Sequence, residues 1–268
     1  MADSTDTRKE RRATARAERD RAAEAAQARR RQRLWILGGV VALAVVVVAV
    51  IAFAAIGGGD DKPAVKKGEI IPGQIETNAR FAGIPQRGIT VGNPNAPITL
   101  VEFADLQCPF CRDYSTNVMP TIVDRYVRNG KVKMEFRNVS FIGNDSLRGA
   151  QMAAAAGLQN KLWEYIDLFY LNQEAENSGY VSDEFLTRIG RAVRGLDVQR
   201  AMADRALPSV QRGLTEAQTE WTVAGFTGTP AFLLGETGGR MEAMLGQQVA
   251  PTVDNVSQAI EARLTAAR

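Results

Sequence analysis

Cys108 and Cys111 are the chain's only cysteines, and three positions separate them across Cys108-Pro109-Phe110-Cys111. A disulfide needs its Cα atoms roughly 4.4–6.8 Å apart, a distance residues i and i+3 meet on the first turn of a helix. A helix is therefore expected to start here. Its first cysteine then sits where unpaired backbone N–H groups and the positive end of the helix dipole stabilise a thiolate. Such placement brings a thiol pKa from about 8.5 down to roughly 3.5–7.5. Cys108 is the expected nucleophile.

The flanking residues read as a strand and a helix. Ile98 to Ala104 is a short, mostly apolar run after Asn93-Pro-Asn-Ala-Pro97, the pattern of a buried strand. After the cysteines, Phe110, Tyr114, Val118, Ile122 and Tyr126 recur every fourth residue, and Met119, Val123 and Val127 widen the stripe. That is an amphipathic helix. Pro109 suits its first turn, Pro120 predicts a kink within it, and Asn129-Gly130 ends it. A dithiol pair between strand and helix is the thioredoxin-type arrangement.

Two other uses of the pair are weaker. Structural zinc takes four Cys or His ligands, and this chain has no histidine and no third cysteine. As a static staple, a disulfide closing so short a loop contributes only about 2 kcal/mol.

Leu34 to Ile56 is 23 residues without a charge, long enough as a helix to cross a hydrocarbon core of about 30 Å. It predicts a single transmembrane helix in contact with membrane lipid. Residues 1–33 carry eleven Lys/Arg against six Asp/Glu, with Arg29-Arg30-Arg31-Gln32-Arg33 directly before the apolar run. Positive flanks stay cytoplasmic, which places the C-terminal part outside the cytoplasm. The overall charge of +3 therefore belongs to this flank and does not indicate nucleic-acid binding. Ala52-Phe53-Ala54 matches a signal-peptidase site, but the charged region and the apolar run are both longer than a signal peptide needs. On either reading the cysteines face a compartment where disulfides persist.

Residues 57–84, opening with Gly57-Gly-Gly-Asp-Asp-Lys-Pro63, are expected to be a flexible tether, and 85–268 a single domain. Val132, Met134 and Phe136 alternate with Lys133, Glu135 and Arg137 as in a half-exposed strand. From about 146 to 225 the pattern is helical. Trp163, Trp221 and the Tyr and Phe residues of that block are expected to pack its core, with a substrate groove lined by some of them as the alternative. Strands return at 229–234 and 240–245 around the turn Gly235-Glu-Thr-Gly-Gly239. Val253, Val256, Ile260 and Leu264 mark a terminal helix. In Ile98–Ala104, alternation places Glu102 with Leu100 and Ala104, where burial would raise its pKa; the alternative is a strand-end residue with its carboxylate in water.

With the motifs Glu102-Phe-Ala-Asp-Leu-Gln-Cys-Pro-Phe-Cys111 and Gly225-Phe-Thr-Gly-Thr-Pro-Ala-Phe232, this order of elements resembles the DsbA-like thiol:disulfide oxidoreductases of the thioredoxin superfamily. The resemblance runs from about Gly88 to Ala267. It implies an α/β thioredoxin fold with an inserted helical domain, here preceded by the transmembrane helix. It also implies that Cys108 attacks, Cys111 resolves, and Glu102 is a buried acid exchanging a proton with Cys111. Thr229-Pro230 would be a cis-proline loop that, with Pro109 and Phe110, meets substrate.

The function implied is oxidation of exported proteins' thiols from a membrane anchor. A quinone-linked reoxidant of the DsbB or vitamin-K-epoxide-reductase type would serve as partner, with no metal or organic cofactor. Phe110 stands where the strongest oxidants of the family have histidine, which argues for a less oxidising couple. A reductase or isomerase is the alternative direction, since potentials in this fold span about 7 kcal/mol. A non-enzymatic peptide-binding or chaperone module is the alternative class.

Overall fold

The computed structural model describes residues 70–246 and 249–267. The basic segment 1–33, the apolar stretch 34–56 and tether residues 57–69 lie outside the described residues. Among those described, no helix is long and apolar enough to cross a membrane.

In chain order the domain begins with α1 (Gln74–Arg80), two short strands β1 (Gln86–Arg87) and β2 (Thr90–Val91), and β3 (Ile98–Ala104). Helices α2 (Pro109–Asn117) and α3 (Met119–Ile122) follow, then a π-helical turn (Val123–Val127) and β4 (Val132–Asn138). Five helices come next: α4 (Asn144–Gly157), α5 (Leu162–Leu171), α6 (Asp183–Ala192), α7 (Val198–Asp204) and α8 (Pro208–Val223). The chain closes with β5 (Ala231–Glu236), β6 (Glu242–Ala243) and α9 (Val253–Ala266).

The six strands form one sheet in the order β1-β2-β4-β3-β5-β6. The central strand β3 runs parallel to β4 and antiparallel to β5, and all seven of its residues are buried. That is why it reads as an almost unbroken apolar run. One face, with Ile98, Leu100 and Ala104, joins the main core; Val101 and Phe103 on the other belong to a smaller cluster with Val139, Phe226 and Ala231. The alternation expected in β4 is present, with Val132, Met134, Phe136 and Asn138 buried.

The kink expected at Pro120 is a break two residues earlier. Val118 separates α2 from α3, and Pro120 falls in the first turn of α3, where its missing N–H costs nothing. The helical block occupies 144–223, close to the expected 146–225. Its core holds Trp163, Tyr165, Phe169 and Tyr170 at no more than 1% exposure. Gly149 lets α4 approach α5, since a Cβ there would sit 3.2 Å from the Phe169 ring. The second C-terminal strand is shorter than expected, two residues instead of 240–245.

Two expectations need correction. Residues 70–84, expected as the end of the tether, belong to the fold: α1 lies there, with Ile71, Thr77, Phe81 and Ile84 buried. The Thr77 hydroxyl donates to the Asp167 carboxylate at 2.6 Å, and Arg80 forms an ion pair with the same carboxylate. A seven-residue helix with so few buried positions carries too little periodicity to detect in sequence. Trp221, expected in the core of the helical block, is only partly buried at the end of α8, against the smaller cluster.

Candidate active site

The site is built at the junction of β3 and α2. Cys108 is the N-cap of α2, in extended conformation, and Pro109 occupies the first helical turn. Cys111 lies one turn on, and in this structure both are free thiols. Cys111 has no exposed surface, whereas Cys108 retains 5%. Only Cys108 can meet another protein's sulfur. Phe110, between them, is 67% exposed.

The two thiols are driven apart in acidity. Cys108 is lowered to about 6, first by its hydrogen bond with Cys111, against the opposing cost of burial. The Thr229 side chain and the backbone N–H groups of Cys111 and Phe110 help further. Cys111 is pushed well above the usual thiol range, first by burial and then by Cys108. A nucleophile and leaving group at one position and a proton-retaining thiol at the other is the division of labour exchange requires.

The second half of the site comes from the loop between α8 and β5. Gly225, at φ +74, turns the chain out of α8 in a backbone region that favours glycine. The Thr229–Pro230 peptide is cis. The Cys108 thiol donates to the Thr229 carbonyl at 3.4 Å. The Thr229 hydroxyl is buried and is committed to no other hydrogen bond, and its side chain is one of the groups that lower Cys108. The fold thus brings together Cys108, Cys111 and Thr229, with Pro109, Phe110 and Pro230 as their immediate chain neighbours.

Glu102 is 2% exposed on β3, and its directly paired neighbours are Phe136 on β4 and Phe232 on β5. No cation offsets its burial, which lifts its pKa to about 8. Glu102 and Cys111 each help raise the buried Tyr170 hydroxyl, while Glu102 is not among the groups that act on Cys111. At neutral pH Glu102 is a neutral acid able to give up a proton.

Sequence reasoning missed the residues that hold the loop between β3 and α2. The buried Asp105 carboxylate accepts from the backbone N–H groups of Gln107, Phe141 and Ile142. From the helical block, the Tyr170 hydroxyl donates to the Asp105 carbonyl, and the Gln173 amide donates to the Leu106 and Cys108 carbonyls. The Gln107 side chain is held between Ser146 and the Asn177 N–H. A buried polar cluster in a Leu-Gln-Cys loop was visible only as the lone acid Asp105. Among the described residues no group of three His, Cys, Asp or Glu side chains could hold a metal.

A family model described as Thioredoxin matches residues 85–261. A probable disulfide bond formation protein D of Bacillus cereus is 35% identical over 114 residues, which cover 42% of this chain and 52% of that protein. The chain thus spans about half the length of this curated relative. The crystal structure of oxidised BdbD from Bacillus subtilis superposes with a TM-score of 0.58 at 18% identity, covering 68% of this chain and 97% of that one. The structure of alpha-DsbA1 from Wolbachia pipientis gives 0.57 at 19%, covering 69% and 93%. At those identities the likeness is one of fold.

Proposed function

Because the chain belongs to the thioredoxin family and has the fold of its DsbA-type members, we propose that it is a protein thiol:disulfide oxidoreductase acting through Cys108 and Cys111. The observation that carries this is the opposite displacement of the two thiols, Cys108 down to about 6 and Cys111 far up.

The direction we assign is oxidation of client thiols. A client thiolate attacks the Cys108 sulfur of the disulfide, and Cys111 leaves and takes a proton, which Glu102 can supply. A second client thiolate then attacks its own sulfur in the mixed disulfide and expels Cys108 as thiolate. The client loses two electrons and the pair gains them. A low-pKa leaving group speeds that last step and stabilises the reduced pair, which makes the disulfide a better oxidant. The disulfide-formation name of the Bacillus relative agrees with this direction.

Membrane anchoring through Leu34–Ile56 is part of the proposal and rests on the apolar length and the basic flank. The clients are then exported proteins, and a membrane reoxidant of the DsbB or vitamin-K-epoxide-reductase type returns the pair to the disulfide. Phe110 in the slot of an imidazole is the observation favouring a reductase or isomerase instead.

Redox titration of the full chain in glutathione buffers, read by thiol alkylation, tests the direction. A potential toward the oxidising end of the roughly −270 to −120 mV range of this fold, with oxidation of a reduced unfolded protein, is the expected result. A potential near the reducing end without client oxidation overturns it. Labelling of Cys108 by a membrane-impermeant thiol reagent in intact cells tests the topology; labelling only after lysis overturns that part.

A further inference from the structure

Trp221 lies at the C-terminal end of α8, away from the cysteines in sequence and only partly buried. Its indole N–H donates to the Gly228 carbonyl at 3.3 Å. Gly228 immediately precedes Thr229, whose carbonyl accepts from the Cys108 thiol at 3.4 Å. On its other side the indole stacks on Phe141, with centroids 5.6 Å apart and planes 19° from parallel. The Phe141 backbone N–H is bound at 3.1 Å by the Asp105 carboxylate, and the Asp105 carbonyl accepts from the Cys108 N–H at 3.0 Å.

These contacts close a circuit: Cys108, Asp105, Phe141, Trp221, Gly228, Thr229 and back to the Cys108 sulfur. Every link other than Trp221 sits on the β3–α2 loop, the loop after β4 or the cis-proline loop. Trp221 alone joins the helical block to the cis-proline loop within this circuit.

We propose that Trp221 is a positioning residue: it holds Thr229 beside the Cys108 sulfur and so sets how readily the Cys108–Cys111 pair accepts electrons. The inference rests on the oxidoreductase reading above. The Thr229 carbonyl can only accept, so the group of this loop that can favour a thiolate is the Thr229 side chain, which lowers Cys108. A hydrogen bond to sulfur weakens steeply as its geometry degrades, so a loop released at Gly228 loses part of that grip on the thiolate. The same thiolate stabilisation that favours the reduced pair then falls.

The test uses the full chain with Trp221→Phe, which keeps a ring for Phe141 and removes the N–H. The midpoint of Cys108 alkylation against pH should rise by about half a unit, and the equilibrium constant for reduction by glutathione should fall about threefold, or about 14 mV at 29.6 mV per tenfold. Phe141→Ala should move both in the same direction. Should Trp221→Phe fold poorly, replacing Trp221 by its benzothiophene analogue removes the N–H without changing the ring outline.

Loss of urea stability with both readouts unchanged overturns the proposal, because a residue that only packs would behave that way. A wild-type pair that exchanges normally with glutathione and is indifferent to Trp221 sinks this inference alone. A wild-type pair that fails to exchange sinks the functional reading, while the thiol titration still reports on Trp221.

Discussion

The Cys108 thiol donates a hydrogen bond to the carbonyl of Thr229, a residue 121 positions away in the chain. Helix terminus and cis-proline loop therefore act on one sulfur, and the behaviour of Cys108 is a property of the folded pair of segments.

Alkylation of Cys108 in the reduced protein should be half-maximal near pH 6, where its thiol is placed by Cys111 and the other donors around it. Cys111→Ala removes the largest of these contributions and should raise the midpoint by about one unit, a tenfold loss of thiolate at low pH. The folded value lies below the unfolded thiol's roughly 8.5. The thiolate thus stabilises the reduced fold fully above about pH 8.5, and this contribution is lost as pH falls through 6. A wild-type midpoint near 8 would contradict the geometry.

Phe110 is exposed beside the nucleophile and carries no charge. Phe110→His would put an imidazolium in that slot at mildly acidic pH and add electrostatic support for the thiolate. The expected result is a lower Cys108 midpoint and about a tenfold shift toward the reduced pair in glutathione, or about 30 mV. No change in either quantity would show that this side chain points its charge away from the sulfur.

Burial disfavours the Glu102 charge and pushes its carboxyl up from the ordinary 4.5 to about 8. Since the folded state holds the proton more tightly, stability falls as pH rises from about 4.5 to 8, and the full penalty is present above 8. Glu102→Gln removes it. The variant should gain about 2–4 kcal/mol over wild type at pH 9 and nothing at pH 4, measured by urea unfolding of the reduced proteins. On the proposed mechanism its exchange should also be slower, because Glu102 is there the acid that gives Cys111 its proton. A gain independent of pH would mean that Glu102 is not buried with its proton.

Asp167 is fully buried and held by Arg80 and Thr77 of α1. Arg80→Ala leaves a buried carboxylate without its cation, at a cost of about 3–5 kcal/mol. The cost should shrink as pH falls, because burial already raises the Asp167 pKa and protonation removes the unpaired charge. Chemical denaturation at two pH values checks both statements; a small, pH-independent loss would show that α1 is not anchored by this pair.

Much of the fold was legible because it is written in short-range periodicity. The unbroken apolar run of β3 and the alternation of β4 each lie within one element and map onto burial. The every-fourth-residue stripe after the cysteines runs across α2, α3 and the π-helical turn, and maps onto burial from Tyr114 onward while Phe110 stays exposed. Helix α1 was not legible. Its place depends on Asp167, 87 residues beyond Arg80, and no local pattern announces such a partner. Trp221 was assigned to a core because aromatic residues on helices usually pack there, yet its ring is taken up by Phe141 across the site.

For the active site, the sequence alone determined the chemistry: two sulfurs at i and i+3, a proline fit for a helix start, and a carboxylate placed by alternation among the apolar residues of a strand. Spacing within one turn and alternation along one strand are local geometry, and local geometry is carried by adjacent residues. Only the tertiary structure decided what each group feels. Register set Phe136 and Phe232 beside Glu102 and left it without a cation. Long-range packing delivered Thr229 to Cys108 and Trp221 to Gly228. Electrostatics and hydrogen bonding act through space at a few ångströms, so they answer to which elements become neighbours, a fact that no single segment contains.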